Sequence, residues 1–335
     1  MKSIRFLILG LTLTGSFRLA AQTADAIGQV DNSQQRRALE RSADAALKPG
    51  DTAPESYAGE ASDVGPQTVI RYPQGRTWIQ ASTDVSYYRT DNYFQLKDFR
   101  QEADVLLSSI EVALAPTAFD VGGGELLPRI GYRHQWYDFG LLGGTIDGAT
   151  TKLNEFDFNA GTAFADVNWR RAGWNFGGGV DYTRLVGTGS GDEFYSEWTP
   201  RWNASWSHPL CPKSSVTLGY DGDYRFSDPS GTYLLAGRYN LDRTDHALTA
   251  MLNFALCPHA LLQPYYRFKY THFTGSPDRD DYLHTLGLAV YCPLGQNAGI
   301  RFFTSWENRK VTGTDTADDY AKFDIGGGVN LTFRF

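Results

Sequence analysis

Three cysteines are the first residues in this chain that could do chemistry. They stand in PLCPK, ALCPH and VYCPL as Cys211, Cys257 and Cys292, each directly before a proline. A structural zinc site needs four ligands, and His208 and His259 are the histidines near them in sequence. A proline in this position instead prevents a strand from continuing. The three Cys-Pro steps are spaced by about two strands, which gives a weak hairpin repeat. One disulfide between neighbouring turns is geometrically open and would leave one thiol over. Structural turn residues are the expectation, and no metal is assigned.

Nucleophilic catalysis needs a serine with a histidine placed to take its proton. Of six histidines, His134 and His284 fall in mid-strand, in outward phase, and neither lies in a hydrolase motif. The glycine triplets beginning at Gly122, Gly177 and Gly326 lie in or beside strands, where they ease curvature or packing rather than cradle phosphate. No catalytic residue and no cofactor are assigned. A lipid hydrolase is the lesser alternative.

The charged residues carry a clearer pattern, because they alternate with apolar ones. In LQPYYRFKYTH, Leu262, Pro264, Tyr266, Phe268 and Tyr270 share one face, and Gln263, Tyr265, Arg267, Lys269 and Thr271 the other. In SVTLGYDGDYRF, Val216, Leu218, Tyr220, Tyr224 and Phe226 alternate with Thr217, Asp221, Asp223 and Arg225. Trp202, Ala204 and Trp206 alternate with Arg201, Asn203 and Ser205. Period two means strands with unlike faces. A soluble sandwich buries the apolar face; a membrane barrel turns it to lipid and keeps the charges in a wet bore. On the second reading Arg129, Arg133, Arg201, Arg225, Arg267, Lys269 and Arg301 face inward, opposed by Asp84, Glu111, Asp181, Glu197, Asp221, Asp223 and Asp324. These are the candidates for lining a lumen, either as ion-pair ladders that brace the wall or as a path for small hydrophilic solutes.

The elements that hold these residues fall into three regions. Residues 1–21 read as a secretory signal peptide: Lys2 and Arg5, an apolar stretch from Phe6 to Thr14, then small residues at Ala20 and Ala21. Residues 22–76 are polar, with a short amphipathic helix expected from a cap at Asn32 or Ser33 through Leu39, Ala43, Ala46 and Leu47 to Pro49-Gly50, followed by linker or disorder. They form a periplasmic N-terminal extension. From 77 to 335 about twelve strand candidates follow, each of the ~9–11 residues that a transmembrane strand needs. Their connections alternate short and long, which puts short turns on one rim and charged, Gly-rich loops on the other. Tryptophans near both rims fit two interfacial belts. No stretch reaches the ~18 apolar residues of a transmembrane helix. A net charge of −7 argues against nucleic acid as a partner.

The last strand, FDIGGGVNLTFRF, alternates to its final residue: Phe323, Ile325, Val329, Leu331, Phe333 and Phe335 share a face. This ending resembles the C-terminal signal of bacterial outer-membrane β-barrel proteins, over an architecture running from about Thr77 to Phe335. The resemblance implies an all-β, antiparallel, up-and-down barrel in the outer membrane, with both termini periplasmic. Its implied partners are outer-membrane lipids and the barrel-assembly machinery. The expected function is a porin-like channel for small polar solutes or ions; a structural or adhesive barrel with a blocked lumen is the alternative. Nothing in the sequence sets the oligomeric state.

Overall fold

The computed structural model describes residues 26–37, 78–97, 100–141, 152–229, 241–257, 259–274, 279–295, 297–313 and 319–335. Residues 1–25, which include the expected signal peptide, residues 38–77, parts of five long loops and residues 258 and 296 lie outside them.

Alternating sequence becomes strand wherever it was expected. In chain order these are β1 (Ile79–Thr90), β2 (Ala103–Leu114), the short β3 (Phe119–Val121), β4 (Gly124–Phe139), β5 (Phe158–Arg171), β6 (Trp174–Gly187) and β7 (Glu193–Cys211). Then come β8 (Ser214–Pro229), β9 (Arg243–Cys257), β10 (Ala260–Phe273), β11 (Arg279–Pro293), β12 (Ala298–Thr312) and β13 (Tyr320–Arg334). Each long strand pairs antiparallel with its neighbours, and β3 is a small ribbon on β4. Two pairings close the sheet: β2 with β4, and β13 with β1 in a register from Gln80↔Arg334 to Thr90↔Asp324. The result is a closed twelve-stranded barrel, so no long edge is left to aggregate.

The twelve barrel strands are longer than the expected ~9–11 residues; they run from 12 residues in β1 to 19 in β7. At about 3.3 Å per residue, β7 extends well past an apolar band of ~25 Å. The membrane limits the length of the apolar face, but hydrogen bonding continues the strand into water on the long-loop side.

At the closing seam a Cβ on Gly326 would lie 2.3 Å from the Cβ of Tyr88, so only glycine lets β13 approach β1 there. Phe335 does not fray. Its carbonyl accepts from the Trp78 N–H at 2.7 Å, and its own N–H donates to Ile79 at 2.9 Å.

The outer face is apolar. Leu218, Leu248, Leu286, Phe302, Ile325 and Val329 are all exposed, whereas Asp84, Asp166, Glu307, Lys322 and Asp324 are buried. This inversion is stable only if the exterior meets hydrocarbon. The outward phase of His134 and His284 also holds: each ring nitrogen meets a tyrosine hydroxyl on that face, Tyr132 at 3.3 Å and Tyr266 at 2.7 Å.

One helix, α1 (residues 26–37), lies inside the barrel. It begins earlier than the expected cap at Asn32 or Ser33. The positions that motivated that expectation, Leu39 to Leu47, fall outside the described residues. Ala26, Ile27, Val30 and Ser33 form its buried stripe, the i, i+1, i+4, i+7 spacing of one helix face.

Candidate functional site

The inner wall divides into two chemistries. Toward the long-loop rim it is apolar on β1, β2, β4 and β5, whereas on β9 and β11 to β13 the same end carries the buried charges Arg243, Arg279, Asp281, Glu307 and Lys322. Tyr88, Val105, Leu107, Tyr137, Phe139 and Phe158 turn inward and join Ala26, Ile27 and Val30 of α1 in one buried cluster. Tyr93, from the β1–β2 loop, and Phe156, from a 3-10 turn (Leu153–Phe156), belong to the same cluster. Tyr137 and Phe158 stack at 4.4 Å between centroids.

Beside this cluster the sequence-identified charges come together, mostly in pairs. Arg129 donates to Asp166 at 2.7 Å; Arg201 reaches both Asp166 (3.2 Å) and Asp181 (3.1 Å). Arg133 approaches Glu111 at 3.9 Å. Arg225 sits among Asp223 (3.1 Å), Glu197 (3.2 Å) and Asp245 (3.3 Å). Arg301 pairs with Asp84 at 2.9 Å. Lys322, 1 % exposed, is held by Glu307 at 3.0 Å and Asp324 at 3.4 Å. Asp221 and Arg267 are inward on β8 and β10; Asp221 is open to solvent in the bore.

The helix is fitted to these charges. Asp31 accepts from Arg225 at 2.7 Å and from Lys269 at 3.4 Å. Burial works to raise the Asp31 carboxyl, but Arg225, Lys269 and Arg243 outweigh burial and hold it below the usual carboxylate range. Arg36 donates to Asp324 at 3.1 Å, and its guanidinium lies 4.2 Å from the ring centroids of both Tyr88 and Phe303. Arg37 meets Glu111 at 3.4 Å and donates to Ser109. Ser33 accepts from Gln135 (3.0 Å) and Tyr137 (3.1 Å), while Gln29 accepts from Tyr88. With its amide turned to suit its neighbours, Asn32 donates to Glu307 at 3.1 Å and accepts from Lys322 at 2.9 Å. The sides of α1 thus reach β1, β2, β4, β8, β10, β12 and β13, which makes it a plug that contacts most of the circumference.

Sequence reasoning missed the plug residues Asp31, Arg36 and Arg37 and the inner wall partners Asp166, Arg243, Asp245, Glu307 and Lys322. The wall partners were accessible from the same period-two alternation. The plug residues had one available sign: an acid and two bases at helical spacing beside a small apolar stripe.

Cys211 and Cys257 are exposed and Cys292 half-buried at the short-turn rim, all as free thiols. Among the described residues no three His, Cys, Asp or Glu side chains gather in metal-binding geometry.

No family model matches the chain, and no curated protein matches it in sequence. Among solved structures, an outer membrane channel from Pseudomonas putida F1 is similar at a TM-score of 0.51 and 9% identity, over 78% of this chain and 97% of that one. The chain has the fold of the outer-membrane β-barrels. The beta domain of a Bordetella autotransporter (TM-score 0.43, 13% identity, 77% of this chain and 100% of that one) is a more distant likeness. So is an anion-selective porin from Comamonas acidovorans (TM-score 0.38, 9% identity, 76% and 98%). For an outer-membrane barrel the lumen is the place where a solute path would run, and here α1 stands in it.

Proposed function

We propose that this protein is a porin-like channel of the bacterial outer membrane for small polar solutes, with α1 as a plug in its bore. The observation that carries the proposal is the contrast between wall and plug. The wall is a closed hydrogen-bonded sheet, whereas the plug, over its described residues 26–37, is a helix held by side-chain contacts. A barrel built only as a scaffold could fill its bore with wall side chains, as paired charges already do elsewhere. In this reading Arg129, Arg133, Asp181, Glu197, Arg201, Asp221, Asp223, Arg225, Arg267, Lys269, Arg301 and Asp324 border the path that opens when α1 leaves. In the same reading both termini are periplasmic, and Phe323, Ile325, Val329, Leu331, Phe333 and Phe335 act as the assembly signal.

The filled long-loop half also favours a second reading, a structural barrel whose lumen stays closed. Conductance of purified protein in planar bilayers separates the two. The expected result is rare, discrete ion-permeable openings in the wild type and more frequent ones when Arg36 and Asp31 are both replaced by alanine. Silence of both proteins, although folded and inserted, would leave the structural barrel. Lipid turnover in the same bilayers would point to a hydrolase.

A further inference from the structure

The seam between β12, β13 and β1 carries a notch in the inner wall. Gly326 of β13 pairs with Tyr88 of β1 on one side and with Phe303 of β12 on the other. Residues in one such row point the same way, so two aromatic side chains flank a position that has none. Asp324, two residues along β13, shares this inward face and is buried. The Arg36 side chain of α1 fills the notch. Its guanidinium lies 4.2 Å from both ring centroids and donates to Asp324 at 3.1 Å.

The acids of this wall are incomplete without that arginine. Lys322 meets Glu307 at 3.0 Å and Asp324 at 3.4 Å. Among the described residues, Lys322 and Arg36 are the cations within ion-pair distance of these two acids. Two wall carboxylates therefore share two cations, and one of the cations belongs to the plug. Neighbouring arginines are turned elsewhere. Arg301, one row toward the short-turn rim, pairs with Asp84 at 2.9 Å; Arg279 and Arg309 meet Asp281 at 2.8 and 3.8 Å. The Asp31 end of the plug differs. There Arg225, Arg243 and Lys269 already face Glu197, Asp223 and Asp245, charge for charge. Only the Arg36 end supplies a charge that the wall around it lacks.

The notch suits one kind of cation. Guanidinium is planar and weakly hydrated, so it gives up little water when rings cover it, and its fork matches a carboxylate. An ammonium is compact and holds its water more tightly. The space beside Arg36, between Tyr265, Tyr291 and Arg301, is a cavity of about 20 Å³, room for one water. A second guanidinium can enter only where Arg36 leaves.

We propose that the notch of Tyr88, Phe303 and Asp324 binds solutes that carry a guanidinium group, and that Arg36 is their internal stand-in. Such a solute competes with α1 for the notch and so favours the open bore. The proposal deepens the channel reading and rests on it for its biological sense, but binding can be measured without passage. The probe is radiolabelled L-arginine, in equilibrium dialysis with the full-length protein in detergent. L-citrulline, similar in shape but with an uncharged urea end, is the control. Arg36→Ala should bind arginine saturably and at least tenfold more tightly than wild type, because its notch has no internal occupant. Adding Phe303→Leu should weaken that binding about tenfold, since one ring is lost. Heat-modifiable mobility on gels checks that the variants are folded. The wild type gives a second measurement that needs no variant: at constant ionic strength, arginine should speed hydrogen exchange in residues 26–37, and citrulline should not. The proposal is overturned if folded Arg36→Ala binds no arginine, binds citrulline equally well, or binds arginine no better than wild type. Exchange in α1 that arginine leaves unchanged would also overturn it. A protein that conducts ions but ignores arginine would defeat this inference alone; one that binds arginine and never conducts would defeat the channel reading alone.

Discussion

Replacing Arg36 with alanine should release the plug without unfolding the barrel. Arg36 is 9% exposed and does three things at once. It pairs with Asp324 at 3.1 Å, and it lies 4.2 Å from each of two ring centroids, Tyr88 and Phe303. Removing one member of a buried ion pair costs about 3–5 kcal/mol, because the other charge stays buried. Here Lys322 remains 3.4 Å from Asp324, which lowers that figure. The loss of two desolvated cation–π contacts, each worth about 2 kcal/mol, raises it again. A net loss of about 3–5 kcal/mol is therefore expected, which is roughly a hundredfold to a few thousandfold in the docked-to-undocked ratio. Asp31→Ala should cost far less, about 1 kcal/mol, because Arg225 and Lys269 keep Glu197, Asp223 and Asp245 as partners. Hydrogen exchange is the assay. In Arg36→Ala the amides of residues 26–37 should lose protection by these factors, while those of β9 to β12 keep theirs. Arg36→Lys should fall between, since lysine keeps the charge but not the planar fork. Unchanged protection of the helix in Arg36→Ala would refute the idea that this arginine anchors it. An equal loss for Asp31→Ala would refute the ranking.

Three further outcomes are expected. Leu218→Arg should destabilise the barrel, at most by about 2–4 kcal/mol, whereas Thr217→Arg should cost much less because its side chain enters the wet bore; equal loss of heat-modifiable protein would reverse the facing of β8. Deleting Phe335 removes backbone hydrogen bonds to Trp78 and Ile79 and the last apolar residue of the terminal face, so less folded barrel should accumulate in the outer membrane; wild-type levels would argue against the terminal signal. Docking of α1 should be flat in pH from about 8 to about 5 as far as Asp31 is concerned. Its carboxyl is lowered in the docked state, so its contribution is complete above the free-carboxylate value of about 4 and is lost only as pH falls further. Exchange protection of α1 that dropped already near pH 6, and did so equally in Asp31→Asn, would assign the sensitivity to another group.

The barrel was legible in the sequence because its evidence is local and repeated. Each strand such as β8 or β10 declares its two faces within about ten residues, and each turn declares itself by proline or glycine. Strand length was less legible: β7 continues to Glu193 beyond the membrane band because its pairing with β6 and β8 goes on past the hydrocarbon, where alternation to lipid no longer marks it. The inward Tyr137 and Phe139 were hidden for a related reason. Alternation fixes which residues share a face but not what covers that face, and near the long-loop rim the cover is a helix and loop aromatics rather than water. The helix itself was the hardest part to read. Ala26, Ile27 and Val30 are too few apolar residues to build a helix that would be stable in water, and Asp31, Arg36 and Arg37 look like solvated charges until a wall bearing Arg225, Asp324 and Glu111 closes around them. A short polar helix that is marginal alone and complete only inside its barrel has little intrinsic stability to retain it. Its residence in the bore therefore rests on a handful of wall contacts, and that dependence is what a displaceable plug requires.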